Sequence, residues 1–267
     1  MPNIRPAAVA GAFYPAQADA LRRMLADCFE NAKLTMMRPK ALIVPHAGYI
    51  YSGPIAASAY ALLEPLRDVI RRVVLLGPVH RVWVSGLALP GVAAFETPLG
   101  RVPLDQTGIA AIADLPQVSV SVAAHAEEHS LEVHLPFLQS VLANFSLIPL
   151  AVGDAAPEAV AEVLDRLWGG DETLIVISSD LSHFLPYAEA KYVDAATATA
   201  ILRLDSHLVG EQACGAHPIN GLMLAAKRRG LAPHLLDMRN SGDTAGDRGR
   251  VVGYGAFALV EPEHELS

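Results

Sequence analysis

Cysteine is scarce in this chain: Cys28 and Cys214 are the only two in 267 residues. No CxxC motif occurs, and two distant thiols do not make a disulfide framework, so reduced thiols in a reducing compartment are expected. Charge is also sparse at 18%, with a net value of −8. No Lys/Arg-rich run supplies the electrostatic footprint of a nucleic-acid binder. An acidic surface does not favour anionic lipid. No apolar run approaches the ~18 residues that a membrane helix needs. The stretch PAAVAGAF is Ala-rich without a Leu-rich centre, so it reads as part of the mature fold and not as a signal peptide. The expectation is a cytoplasmic protein with no nucleic-acid or membrane partner. No repeat, low-complexity tract or Gly/Ser-rich linker divides the chain, which reads as a single domain over 1–267.

Apolar residues, by contrast, make up 52% of the chain, enough for a sizeable core. Short continuous apolar blocks stand at Ala41–Val44, Val73–Leu76, Leu147–Val152 and Leu174–Ile177. Unbroken blocks suit strands covered on both faces, as in a parallel sheet. Between them lie helical patterns: Ala18–Asn31, Pro54–Leu66, Leu131–Leu142, Pro157–Trp168, Tyr187–Arg203 and Pro218–Arg229. The first presents Leu21, Met24, Leu25 and Phe29 on one face. Pro54 is placed near a helix start, where proline is tolerated. Arg250–Val260 is β-rich and could close the sheet. The alternation predicts an α/β fold, with a mostly parallel central sheet and helices on both faces.

Histidines recur in equivalent places. His46 follows the first block in ALIVPHAGY, His80 follows the second in VVLLGPVH, and Asp180 and His183 follow another in LIVISSDLSH. In open α/β sheets, ligands bind beyond the carboxyl ends of strands. Neutral imidazole is both a metal ligand and a proton carrier near neutral pH. Two histidines and a carboxylate with open positions match non-haem Fe(II) oxygenases. Asp180 and Asp243, the latter in the turn NSGD, offer carboxylates. A single histidine after a strand is ordinarily a loop residue bonded to backbone; three such placements weaken that reading.

The segment AHAEEHSLEVHLPFLQ holds His125, His129 and His134. With helix starting near Ser130, His129 precedes it and Glu132 falls in the first turn. His134, two residues beyond Glu132, faces away from it. His129 is therefore taken as a site residue with Glu132 orienting it from behind. His125 and His134 rank behind it.

Together AGAFYP, PHAGYIYSGPIAASAY, LLGPVH, TPLG, EEHSLEVHLPFLQ, VISSDLSH, CGAHPI and VVGYGAFAL resemble the Memo family, in order over almost the whole chain. Bacterial and archaeal members are called AmmeMemoRadiSam system protein B. The resemblance implies a fold shared with class III extradiol ring-cleaving dioxygenases, whose iron is held by two histidines and a carboxylate. It puts His46 and His80 on the family's metal histidines. His183 falls on the dioxygenases' catalytic histidine, with Asp180 beside it. Phe13 falls at the pocket rim and Tyr51 on a pocket tyrosine. Two positions depart from the family. Arg81 replaces a histidine in GPVHRV, and Thr244 stands where animal members have a cysteine ligand. A neutral hydroxyl is a poor ligand beside a thiolate. Asp243 is the candidate replacement, with a water or His183 as alternatives. Cys214 and His217 in CGAHPI read more simply as structural residues ahead of a helix.

Three functions follow as expectations. The first is an Fe(II)-dependent dioxygenase-like oxidoreductase, with His46, His80 and Asp243 on the metal. His183, Asp180 and His129 are its catalytic group, and Phe13, Tyr51 and Thr244 its substrate contacts. The second is a non-enzymatic protein binding a metal, peptide or partner in the same pocket. The third is a zinc hydrolase on His46, His80 and His183. The family name also implies an AMMECR-type protein and a radical-SAM protein as partners.

Overall fold

The four apolar blocks lie side by side at the centre of one sheet. The computed structural model describes residues 3–32 and 36–262. Strands Pro39–Val44, Thr173–Ser178, Arg72–Pro78 and Ser146–Val152 run parallel in that spatial order. Both flanks turn antiparallel. Val251–Val260 pairs antiparallel with Pro39–Val44, Ala232–Asn240 and His183–Leu185. At the opposite end Leu87–Leu89 pairs antiparallel with Ser146–Val152 and carries Val118–Val120. The sheet is thus mixed, with a parallel centre. A separate three-stranded sheet, Ile4–Arg5, Ala94–Thr97 and Gly100–Pro103, is too short and polar to have been read from pattern.

Alternate residues of each central strand enter opposite layers, as the period-two geometry of a strand demands. Leu42, Val44, Val73, Leu75, Leu174 and Val176 face one core with Leu21, Leu25 and Phe137. Ile43, Val74, Leu76, Ile175 and Ile177 face the other with Val160, Leu164, Ile219 and Leu222. Helices therefore cover both faces of a single α/β domain.

Two helix boundaries differ from the sequence reading. The helix expected over Pro54–Leu66 begins earlier, at Tyr49, so Pro54 sits inside it, and a 3-10 turn covers Ala61–Leu66. Tertiary packing sets that start: Tyr49 is buried and its hydroxyl donates to the Val133 carbonyl at 2.6 Å. The stretch Leu131–Leu142 divides into His129–Glu132 and Leu135–Val141, with Pro136 in the first turn of the second helix.

Glu132 is wholly buried and ion-paired to Arg5 at 2.6 Å. Its carboxylate also accepts the Ala8 and Val9 N–H groups and the Tyr14 hydroxyl. Arg5 donates further to the His125 and Glu128 carbonyls. This fastens the N-terminal segment against the short helix. Breaking a buried, hydrogen-bonded pair from one side costs about 3–5 kcal/mol, because the remaining charge loses its compensation. Arg5→Ala is expected to lose that much in urea unfolding. A loss below about 1 kcal/mol, the range of surface pairs, would show the pair to be energetically idle.

Candidate metal centre

Three imidazoles meet beyond the carboxyl ends of the central strands. His46 lies two residues after strand Pro39–Val44 and His80 two residues after Arg72–Pro78. His129 opens the short helix His129–Glu132, which packs over the end of the second strand. There Ser130 Oγ donates to the Pro78 carbonyl at 2.7 Å. Gly77 permits this approach, since a Cβ there would lie 2.9 Å from both Leu131 Cδ2 and Ser130 Oγ. One ring nitrogen from each of His46, His80 and His129 lies within 4.8 Å of the other two. The ring centroids are 5.2 Å apart for His46–His80, 5.4 Å for His46–His129 and 4.5 Å for His80–His129.

Hydrogen bonds from behind settle which nitrogens stay bare. Ser178 Oγ donates its single proton to the Ser130 carbonyl at 2.6 Å. It must therefore accept from His46 Nδ1–H, also at 2.6 Å, which leaves His46 Nε2 unprotonated. Glu128 Oε1 takes His80 Nδ1–H at 2.8 Å, and its Oε2 takes the His80 backbone N–H at 2.7 Å. That bond occupies His80 Nδ1 and leaves Nε2 as the ring nitrogen turned away from the carboxylate. Carboxylate–histidine pairs of this kind orient metal ligands and raise their basicity.

The protonation states agree. Burial drives His46 well below the usual histidine range, helped by neighbouring His80 and His129. Burial and His80 bring His129 down to about 4. Burial works to raise Glu128, but hydrogen bonds from His80 and Ser130 outweigh it and hold the carboxyl at about 2. Neutral imidazole is the state in which histidine ligates a metal, and burial favours it at His46 and His129. On donor chemistry and tautomer, the three residues fit a metal ion.

Asp180 stands against this cluster. Its Oδ1 accepts the His46 N–H at 2.7 Å, and Oδ2 lies 4.0 Å from His46 Nε2. Burial raises its carboxyl to about 7, against the opposing N–H bonds from His46 and Ala47. His183 lies on the edge strand His183–Leu185 and outside the three-nitrogen group. It is near enough for its charge to be felt at His46, and burial lowers it below the histidine norm. The Phe13 ring rests 4.6 Å from His129, and its carbonyl accepts the Tyr49 N–H. Tyr51 is half-buried on helix Tyr49–Tyr60, beside the buried Tyr254 near Asp180.

Several expectations need correction. Asp243 is not in the cluster: it is exposed in the turn Ser241–Asp243, accepting the Tyr187 hydroxyl at 2.5 Å and the Asn240 N–H. Thr244 Oγ1 donates to the Ser241 carbonyl in the same turn. His129 takes the place given to Asp243, and the three-histidine set that forms contains His129 and not His183. Glu132 does not orient His129, because Arg5 and the N-terminal segment occupy it. The carboxylate within reach is Glu128, whose Oε1 is 3.4 Å from His129 Nδ1. Its position beside His129 in EEHS was the available signal. Ser178 had none beyond its place at a strand end. His134 pairs with the Tyr60 hydroxyl, His125 donates to the Ala88 carbonyl and His217 to the Ala155 carbonyl. Cys214 is not simply a small helix-leading residue, for its Sγ lies 3.3 Å from His46 Nε2. Burial raises this thiol to about 12.

Fold and site together define an α/β protein with a strand-end imidazole cluster able to hold a metal. The profile described as Memo-like protein matches residues 5–258, and the chain belongs to the Memo family. A MEMO1 family protein of Methanothermobacter thermautotrophicus is 35% identical, over 94% of this chain and 98% of its own length. One from Aquifex aeolicus is 36% identical over 94% and 97%. Among solved structures, an uncharacterized protein from Escherichia coli K12 superposes with a TM-score of 0.53 at 13% identity. That match covers 83% of this chain and 100% of the other, and it speaks for the fold alone. Among the described residues no helix is long and apolar enough to cross a membrane.

The raised Asp180 carboxyl makes stability depend on pH. Between its ordinary value of about 4 and its folded value of about 7, the folded chain holds a proton that the unfolded chain has lost. Its contribution is fully present below about pH 4 and disappears as pH rises through about 7. In metal-free protein, infrared difference spectra of wild type against Asp180→Asn should show a protonated carboxyl at about pH 5 that is gone by about pH 8. A carboxylate ionised throughout that range would contradict the assignment.

Proposed function

We propose that this Memo-family protein is a metal-dependent oxidoreductase of dioxygenase type, with Fe(II) held by His46, His80 and His129. The observation that carries the reading is the convergence of three imidazole nitrogens, with His46 and His80 anchored from behind by Ser178 and Glu128, beside the buried Asp180 carboxyl poised at about 7. Fe(II) with open positions supplies a place for substrate and dioxygen to meet.

The chain's own residues do the remaining work. Asp180 matches the pH at which a general acid or base is most effective, and it can take a proton from a phenolic or enolic hydroxyl. Neutral His183, the second proton carrier, approaches from the edge strand. Phe13 shields His129 from water on one side, and Tyr51 offers a hydroxyl on the other wall. The substrate is read as a small phenolic or enolic molecule. A cytoplasmic place within the AmmeMemoRadiSam system, beside an AMMECR-type and a radical-SAM protein, is part of the same proposal.

A zinc hydrolase is the second reading, favoured by one observation: the clustered group is three imidazoles with no carboxylate in it. Zn²⁺ on three histidines activates a bound water.

Anaerobic Fe(II) titration tests the site. One ion per chain is expected. His46→Ala, His80→Ala and His129→Ala should abolish measurable binding with unchanged circular dichroism. Glu128→Gln should weaken binding by about 10–100-fold, the effect of removing a ligand-orienting carboxylate. Folded wild type without Fe(II) affinity overturns the proposal. Oxygen uptake with simple catechols separates the readings: iron-dependent uptake supports the oxidoreductase. Ester hydrolysis by the zinc form without such uptake supports the hydrolase.

A further inference from the structure

His183 stands on a segment that no regular ladder holds. It pairs with Val252 on strand Val251–Val260, but the register shifts before Leu185 pairs with Val251. Between them Phe184 takes a φ of 60°, in the left-handed region that favours glycine. Phe184 is also 60% exposed, so its ring buries little to compensate. The segment is therefore strained on its carboxyl side. Restraint comes from the amino side. Leu181 N–H donates to the Gly253 carbonyl at 2.8 Å, and Gly253 N–H donates to the Ser182 carbonyl at 2.8 Å. The Ser182 N–H goes to Asp194 Oδ1 at 3.0 Å.

Asp194 lies on helix Tyr187–Leu202 and is buried. Gly253 leaves it room, since a Cβ there would collide with the carboxylate. Burial pushes this carboxyl above the usual aspartate value, against the opposing Ser182 N–H. A carboxyl buried against so few donors is costly, and an apolar side chain in its place would leave the Ser182 N–H unmet.

We propose that Asp194 is the positioning residue for His183, holding the Leu181–Ser182 peptide unit so that the imidazole keeps its place beside the histidine cluster. This rests on the reading of His183 as the second proton carrier and deepens it. A trans peptide unit is planar, so fixing the Ser182 N–H fixes the direction of the Leu181 carbonyl at its other end. That carbonyl lies close enough to the His183 ring to favour the protonated form, against burial. One carboxyl thus reaches the proton carrier through one rigid unit. Without it, the strain at Phe184 relaxes by turning that unit, and the imidazole turns with it.

Nuclear magnetic resonance of the full-length, metal-free protein, labelled in its histidine rings, tests this. The His183 signals are assigned by their loss in His183→Gln. Asp194→Ala should shift them toward those of free histidine, while buried His125 and His134 keep theirs. Asp194→Asn retains an acceptor for the Ser182 N–H and should restore the wild-type His183 signals. Gly253→Ala drives a methyl into the space of the carboxylate and should move His183 as Asp194→Ala does. It decides the matter if Asp194→Ala fails to fold. Unchanged His183 signals in a folded but less stable Asp194→Ala overturn the proposal and leave Asp194 a structural anchor. A shift shared by His125 and His134, or one equally large in Asp194→Asn, overturns it too. Fe(II) titration reads the metal site separately: wild type without Fe(II) affinity fails the metal reading, whatever His183 does in this comparison.

Discussion

A single buried carboxylate organises the cluster. Glu128 is 2% exposed, yet it is held ionised by the His80 ring, the His80 backbone and the Ser130 N–H. Such a charge is tolerated inside a protein only when its lone pairs are met in this way. In return it fixes both the position and the tautomer of His80. Ser130, two residues on, ties the same segment to strand Arg72–Pro78 and, through Ser178, to His46. Glu132, two residues further, ties it to Arg5. One short segment thus connects the clustered histidines to each other and to the N-terminal strap that carries Phe13.

Much of this architecture was legible in the sequence. The four unbroken apolar blocks declared strands covered on both sides, and their ends declared where a site would lie. His46 and His80 could be placed because each follows its block at once. The antiparallel flanks were harder, since polar residues interrupt Ala232–Asn240 and the apolar strand Leu87–Leu89 is only three residues long. His129 was expected near the site, but not within the three-imidazole cluster that the structure shows. Its ring reaches His80 through the packing of a one-turn helix, which no local spacing encodes. Asp243 was misplaced for the converse reason. Its acidity suggested a ligand, whereas the Asn240–Asp243 capping box turns the carboxylate back onto its own turn. Cys214 and Ser178 become neighbours of His46 only through Gly215 and the strand register.

The electrostatics divide the site into two halves with different tasks. On one side burial lowers His46 and His129 below the histidine norm, and a strongly acidic carboxyl orients His80. On the other, Asp180 is buried with too few donors to stay fully ionised, so it sits near its midpoint at neutral pH. A group held neutral suits ligation, and a group at its midpoint suits proton exchange. The two halves meet where His46 Nε2 lies 4.0 Å from Asp180 Oδ2.

The central claim is that His46, His80 and His129 grip one ion. A crystal grown anaerobically with Fe(II), with data collected across the iron absorption edge, tests it most directly. The account predicts one anomalous peak at bonding distance from all three rings, with Glu128 still on His80 Nδ1. A peak at the Asp243 turn, or none among the three histidines in a fully loaded crystal, would contradict it.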